Sequence, residues 1–230
     1  MDHRIWFNRP AANWNEALPL GNGKLGAMVF GHLSKERIQI NEDSIWYGGL
    51  QDRNNPDALR NLPTIRKLLF EGRLQEAHRL AETAFSGTPC SQRHYMPAGD
   101  LLLMIDAHEG EIRHYRRELD LDRAVVVTTY ELNGYRYRRE AFISYPDNVI
   151  CFRMETDCPE GLSFYARLDR KKGKFVDYTG KRGGDTLVML NSCYGSGSAD
   201  YALMVQAASD TGQIEAVGEH LVVTGAKDVT

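Results

Sequence analysis

Two adjacent carboxyl side chains, Glu42 and Asp43, are the first candidates for acid–base chemistry in this sequence. Hydrolysis of a glycosidic bond needs two carboxyl groups facing one sugar, about 6.5–9.5 Å apart for inversion or about 5–5.5 Å apart for retention. The pair follows residues 37–41, whose alternation predicts a half-buried strand. Because neighbouring strand residues point to opposite faces, only a loop conformation would aim both carboxyls at one substrate. The alternative is that Asn41 and Asp43 bond to nearby backbone at the strand end.

The glycine-rich loop that follows carries Trp46 and Tyr47, then Asp52, Arg53 and two asparagines. Flat aromatic faces cover the apolar side of a pyranose, while Asp, Asn and Arg side chains bind its hydroxyls. The loop is therefore a candidate sugar site, although Trp46 capping the core and a structural Asp52–Arg53 ion pair would explain the same residues. The predicted substrate-binding residues are Asn41, Glu42, Asp43, Trp46 and Arg53.

A second aromatic and polar cluster, residues 92–100, leads into a predicted strand and is a candidate for the opposite lip of a groove. It contains His94, but a histidine without a partner nearby in sequence is more often a hydrogen-bonded surface residue than an acid–base catalyst. We predict no catalytic residue in this chain.

Other patterns lack the context that their chemistry requires. Residues 21–26 match Gly-x-Gly-x-x-Gly but precede a strand instead of opening a helix, so the dinucleotide interpretation fails. The serines within residues 191–198 do not form a Gly-x-Ser-x-Gly elbow. Seven dispersed histidines and four scattered cysteines show neither zinc-ligand nor disulfide-scaffold spacing. We therefore predict no metal, no cofactor and four free thiols.

The balance of 28 basic and 31 acidic residues, net −3, excludes a phosphate-tracking stripe, and we predict no nucleic-acid partner. The densest basic run, residues 167–174, is interrupted by Asp169 and indicates a solvated loop. The sequence has no apolar run of the roughly 20 residues that span a bilayer. Because its start also has no signal-peptide apolar region, we expect no membrane association and a cytoplasmic location.

Helical periodicity appears in one part of the chain, about residues 56–86, where apolar residues recur every three or four positions. Pro63 suits the first turn of a helix, and Gly72 and Gly87 suit helix stops, so two short helices packed as a hairpin are predicted. Elsewhere the pattern is β, and Asn133-Gly134 is typical of a tight hairpin turn. Strands are predicted at residues 101–105, 124–132, 135–143, 149–156, 162–168, 186–194, 201–209, 213–217 and 220–224.

Consecutive strands without crossover helices favour a mainly β fold, a large two-sheet antiparallel β-sandwich with the helical hairpin as an insertion. We expect residues 1–230 to form one domain, truncated at its carboxyl end, because the last ten residues resemble the start of another strand.

Residues 14–31 and 37–49 resemble the opening of glycoside hydrolase family 95, the α-L-fucosidases. Similar segments follow in order at residues 52–59, 65–72, 99–103, 115–122 and 138–147. The resemblance implies the amino-terminal β-sandwich of an inverting enzyme that removes terminal L-fucose or, in some members, L-galactose. The family's catalytic residues belong to a downstream (α/α)6 barrel, and none can be matched here.

The partners implied are that barrel and, through the full-length enzyme, a fucosylated or L-galactosylated oligosaccharide. A stand-alone carbohydrate-binding module and a purely structural sandwich share the fold class and stay as alternatives.

Overall fold

The computed structural model describes residues 3–106, 110–170 and 176–230. Within them the helices are α1 (Ala58–Phe70) and α2 (Leu74–Ala84), and a short 3-10 turn spans Trp14–Glu16. The first strands are β1 (Arg4–Phe7), β2 (Leu18–Gly21), β3 (Leu25–Val29), β4 (Lys35–Glu42), β5 (Gly99–Ile105), β6 (Ile112–Asp120), β7 (Val125–Leu132) and β8 (Tyr135–Ser144). The remaining strands are β9 (Val149–Thr156), β10 (Leu162–Asp169), β11 (Val176–Lys181), β12 (Thr186–Ser192), β13 (Asp200–Gln206), β14 (Gln213–Val217), β15 (His220–Ala226) and β16 (Asp228–Val229).

The strands form three antiparallel sheets. A six-stranded sheet has the order β1-β6-β7-β8-β9-β16, a seven-stranded sheet has the order β14-β15-β10-β5-β4-β3-β2, and β11-β12-β13 form a small third sheet. The prediction of a mainly β, two-sheet antiparallel sandwich with a helical hairpin is confirmed. The third sheet is an addition that the sequence did not indicate.

Inward side chains of the two large sheets interdigitate in two adjoining core clusters. One cluster packs Ile38 and Ile40 of the seven-stranded sheet against Leu119 and Val126 of the six-stranded sheet. The other joins strands of both large sheets to Leu187 and Met189 of the third sheet. The core therefore holds β4 and β5 rigidly, and these two strands lead into the loops considered below.

The helical insertion is confirmed, but the predicted position of Pro63 is wrong. Because α1 begins at Ala58, Pro63 lies in the middle of the helix instead of its first turn. An Asx turn explains the early start, since the Asn55 side chain accepts a hydrogen bond from the Asp57 amide. Gly72 ends α1 as predicted, with a φ of +75° that few other residues adopt.

The Asn133-Gly134 hairpin is also confirmed. Both residues have positive φ, 54° and 83°, and β7 pairs antiparallel with β8. Several strands, among them β1, β2, β6 and β11, were not predicted. In β6 an inward position is filled by Arg117, which is completely buried and donates to the Arg9 and Glu16 carbonyls. A buried arginine breaks the apolar alternation that marks a strand in sequence.

Neither described helix is long and apolar enough to cross a membrane. All four cysteines have free thiols, and no three His, Cys, Asp or Glu side chains cluster as metal ligands within the described ranges. Half of the basic run, residues 171–174, lies outside the described residues; in the described half, residues 167–169 end β10 and Arg170 is buried, so the expectation of a solvated loop is wrong there.

Candidate functional site

Three loops meet where β4 ends and β5 begins. The first follows β4, the second precedes β5, and the third joins β12 to β13. The amide of Tyr47 donates to the His94 carbonyl at 3.0 Å, and the amide of Met96 donates to the Ile45 carbonyl at 3.0 Å. The first two loops therefore lie side by side as one surface. The prediction that residues 92–100 form the opposite lip of a groove is wrong, because main-chain pairing joins this segment to the loop after β4.

Four exposed rings form what we call the aromatic ledge: Trp46, Tyr47, His94 and Tyr95. Trp46 meets Tyr95 edge to face with centroids 5.3 Å apart, and Tyr47 stacks on His94 at 5.0 Å. Trp46 keeps 41% of its surface exposed, so it does not simply cap the core. These contacts fix the ring planes while leaving part of each ring open to a ligand.

The ledge is anchored to the turn that carries the predicted carboxylates. Trp46 Nε1 donates to the Asp43 carbonyl at 3.1 Å, and Tyr95 Oη donates to the Glu42 carbonyl at 2.8 Å. Glu42, Asp43 and Trp46 thus lie together at this turn, and their contact with a substrate stays a prediction. Burial, followed by the negative charges of Glu42 and Asp43, raises the pKa of Tyr95, so this phenol stays protonated as a hydrogen-bond donor.

The two carboxyl groups are unsuited to opposed acid–base roles. Burial raises the pKa of Glu42, but hydrogen bonds from the Ser44 hydroxyl and amide, and one with Asp43, outweigh it and hold the pKa below its ordinary value. A depressed pKa disfavours a general acid at neutral pH. The hydrogen bond between the two side chains also turns the carboxyl groups toward each other, whereas a glycosidase needs them on opposite sides of one glycosidic bond.

The other two predicted residues stand apart from the rings. Asn41 is half-buried within β4, opposite Gly26. Arg53 donates from Nε to the Pro89 carbonyl at 3.0 Å and from Nη2 to the Cys90 carbonyl at 2.6 Å. Arg53 therefore joins the two ends of the helical insertion. It does not form the suggested ion pair with Asp52, whose carboxylate instead accepts a hydrogen bond from the Asn54 amide.

Sequence reasoning missed the third loop, residues 193–199. The amide of Gly49 donates to the Ser196 carbonyl at 3.0 Å, and Arg93 Nη1 donates to the same carbonyl at 3.0 Å. A Cβ on Gly49 would lie 1.9 Å from the Gly197 carbonyl oxygen, so the two backbones approach this closely only because glycine is present. The available signal was the Gly-Ser-Gly run at 195–197, which predicted a turn but no partner.

Arg170, also missed, supports the ledge from below. It is 1% exposed and donates to the Pro97 carbonyl at 3.3 Å and the Ser192 carbonyl at 2.9 Å, which joins the second loop to the third. Its guanidinium lies 5.2 Å from the ring centroid of Tyr201, whose hydroxyl donates to the Ala98 carbonyl at 2.6 Å. Burial raises the pKa of Tyr201 to about 12. The ledge consequently rests on a buried polar network instead of a flexible loop.

This arrangement can stack on a flat apolar face and accept hydrogen bonds at its edge. The exposed rings supply the stacking surface, and the Asp43 carboxylate, which is exposed in the adjoining turn, supplies an acceptor for hydroxyl donors. Such a combination suits one face of a sugar ring. It supplies no pair of carboxyl groups on opposite sides of a bond.

A family model described as the N-terminal domain of glycosyl hydrolase family 65 matches residues 5–230. "Alpha-L-fucosidase 2" of Arabidopsis thaliana is 35% identical over 192 residues, which are 83% of this chain and 22% of that protein. "Probable alpha-fucosidase A" of Aspergillus niger is 37% identical over 166 residues, which are 66% of this chain and 20% of that protein. Its namesake in Aspergillus oryzae is 28% identical over 157 residues. The chain spans about a fifth of the length of these relatives.

Proposed function

We propose that this chain, which belongs to the family of glycosyl hydrolase family 65 N-terminal domains, is the non-catalytic amino-terminal domain of an enzyme that hydrolyses α-L-fucosides. The resemblance to the amino-terminal domain of a fucosidase-like glycoside hydrolase is confirmed. The matching family model is that of glycosyl hydrolase family 65, whereas the sequence motifs resemble family 95. The matched relatives are named as fucosidases. The observation that carries the proposal is a match of 66–83% of this chain to only about a fifth of each relative.

The role of the chain is to brace a catalytic domain and to shape one wall of its sugar pocket. The aromatic ledge supports the second part of this role, because Trp46 and Tyr95 present ring surface beside a carboxylate. Asn41, Glu42 and Arg53 contribute indirectly, since their contacts fix the loops. Asp43 and Trp46 are the residues that we expect to touch the sugar.

Bond cleavage itself is assigned to the downstream domain. An inverting site needs an acid to protonate the leaving oxygen and a base to activate water from the other face, and removing either typically costs factors of about 10²–10⁴. Glu42 shares a hydrogen bond with Asp43, and the pKa of Glu42 lies below its ordinary value, so this pair does not suit opposed acid and base roles. The substrate class is then a fucosylated or L-galactosylated oligosaccharide, held by the complete enzyme.

Proton NMR of a fucosylated oligosaccharide tests this assignment directly. The complete enzyme should release β-L-fucose as its first product, and the 230-residue chain should release none. The double variant Glu42→Gln, Asp43→Asn in the complete enzyme should keep turnover within about tenfold of the parent, since lost acid or base catalysis costs more. Turnover by the purified chain alone, abolished by the same substitutions, would return catalysis to this pair.

A stand-alone carbohydrate-binding module is the second candidate, and the exposed rings of the ledge favour it. A module of this kind binds fucosylated glycans by itself. Titration calorimetry of the 230-residue chain against a fucosylated oligosaccharide separates the two functions. Submillimolar binding that is lost in Trp46→Ala would support the module, whereas a supporting domain should give weak or undetectable heat until it is joined to its enzyme.

A further inference from the structure

The helical hairpin is an arm inserted between two strands that are direct neighbours. β4 and β5 pair antiparallel, a connection that two to five residues usually complete. Here residues 43–98 intervene, and their middle portion folds as α1 and α2. The helices pack on each other, and their buried side chains are Ile65, Ala77 and Ala84. Neither of the two principal core clusters includes a residue of the arm. The sandwich core therefore does not require the arm.

The end of the arm exposes an apolar surface. Leu69, Phe70 and Leu74 surround the turn at Gly72 and are 49%, 91% and 62% exposed. Among the described residues, four of the five most exposed large apolar side chains lie between positions 50 and 74. Solitary exposed apolar residues are ordinary on protein surfaces, but a cluster on a protruding element marks an interaction site.

Charged side chains surround this apolar end. Arg73 donates to both Glu71 and Glu76 across the turn, so the charges beside the exposed leucine and phenylalanine side chains are already paired. A paired polar rim around an apolar centre is the usual composition of an interface between proteins or domains. Arg73, Glu71 and Glu76 together carry a charge of −1, which does not attract a nucleic acid or an anionic membrane.

We propose that Leu69, Phe70 and Leu74 dock into an apolar groove on the catalytic part of the same polypeptide, so that the arm clamps the two domains together. This inference rests on the proposed function, and two observations select the occupant. The matched relatives are about five times longer than the matched segment, so a large covalently attached surface is available at high effective concentration. The arm also begins and ends next to the ledge. Arg53 joins the segments at the two ends of the arm, and the hydrogen bond between Met96 and Ile45 joins the two loops that carry the ledge. A domain that covers the ledge is then adjacent to the arm.

Site-specific photo-crosslinking in the complete enzyme tests the docking. The probe p-benzoylphenylalanine replaces Phe70, whose high exposure makes the change compatible with folding, and in a control it replaces Thr64, an exposed residue of α1 outside the cluster. Mass spectrometry should find intramolecular cross-links from position 70 to residues beyond 230, at least tenfold more abundant than from position 64. Cross-links joining two copies, or equal yields from both positions, would overturn the proposal.

A second measurement covers the case in which the probe reacts poorly. The variant Phe70→Glu, Leu74→Glu should increase hydrogen exchange in the arm and in a downstream segment by about tenfold or more, whereas Thr64→Glu should not. Unchanged exchange would contradict docking. α-L-Fucoside hydrolysis is followed in the same preparations. An active enzyme without the cross-link removes only the docking proposal, while an inactive complete enzyme removes the proposed function on which it rests.

Discussion

Replacing Trp46 by alanine in the complete enzyme removes the largest ring of the aromatic ledge and the hydrogen bond from its Nε1 to the Asp43 carbonyl. Two consequences follow, one for stability and one for substrate binding. Truncating a fully buried aromatic residue costs about 3–5 kcal/mol, and because Trp46 is 41% exposed we expect a loss of about 2 kcal/mol. Part of that loss is the edge-to-face contact with Tyr95.

The effect on binding comes from the exposed part of the ring. An aromatic contact is worth about 0.5–1.5 kcal/mol beyond the area that it buries, which corresponds to about a 2- to 13-fold rise in KM. Because Trp46 takes no part in the acid–base chemistry assigned to the downstream domain, kcat should stay within about twofold. Steady-state kinetics of the complete enzyme on a fucosylated oligosaccharide measures both constants, and thermal unfolding measures stability.

Two variants separate the binding role from the structural role. Trp46→Phe keeps a ring face, so its KM should be close to that of the parent enzyme, although it lacks the indole hydrogen bond. Trp14→Ala removes another exposed tryptophan, 52% exposed against 41% for Trp46, from the 3-10 turn and should leave KM unchanged. If Trp46→Ala lowered the unfolding temperature while KM and kcat both matched the parent, the ledge would be structural and the sugar-wall reasoning would be refuted.

Three further predictions concern stability. Arg170→Met leaves the buried carbonyls of the second and third loops without their donor, so we expect the free energy of unfolding in urea to fall by about 3–5 kcal/mol. The exposed control Arg66→Met should lower it by less than about 0.5 kcal/mol. Equal losses would contradict the supporting role of Arg170. Gly72→Ala forces a non-glycine residue into a φ of +75° and should cost about 1–2 kcal/mol in the same assay. Hydrogen bonding by Arg153, and secondarily its charge, lowers the pKa of Asp228, so the stability that this pair contributes is present at neutral pH and is lost as pH falls below about 4. Asp228→Asn should therefore flatten the acid side of the stability profile, and an unchanged profile would show that the pair contributes nothing measurable.

The parts of the fold that sequence predicted correctly are those in which local preference and tertiary packing agree. The strands on either side of Asn133-Gly134 alternate cleanly, and the turn needs the positive φ that these residues tolerate, so their pairing follows from local chemistry. β6 could not be predicted in this way. Its inward Arg117 is stabilised by the carbonyls of Arg9 and Glu16, more than 100 positions earlier in the chain, and no window of neighbouring residues contains that information.

The same distinction applies to the site. Glu42, Asp43 and Trp46 lie within five positions of one another, and their proximity in the structure follows from the turn after β4. Arg53 lies in the same segment, yet it faces carbonyls at positions 89 and 90, because the helical insertion brings its two ends together. The third loop reaches the ledge through the small sheet, whose position depends on the core. Arg170 is likewise visible only once the loops that it joins are known to be neighbours.

An open ledge also explains why this domain should need a partner to hold a sugar firmly. Small-ligand sites bury about 70–90% of the ligand surface, but rings that share one surface can cover only one side of a pyranose. The Trp46–Tyr95 and Tyr47–His94 contacts fix the rings, so little conformational entropy is lost on binding, yet the opposite sugar face would stay in water. A second wall must therefore come from outside the ledge. A domain held beside the ledge by the arm would supply that wall. If the variant Phe70→Glu, Leu74→Glu, in which the arm no longer docks, raised KM without changing kcat, docking of the arm and binding of the sugar would depend on the same contact between domains.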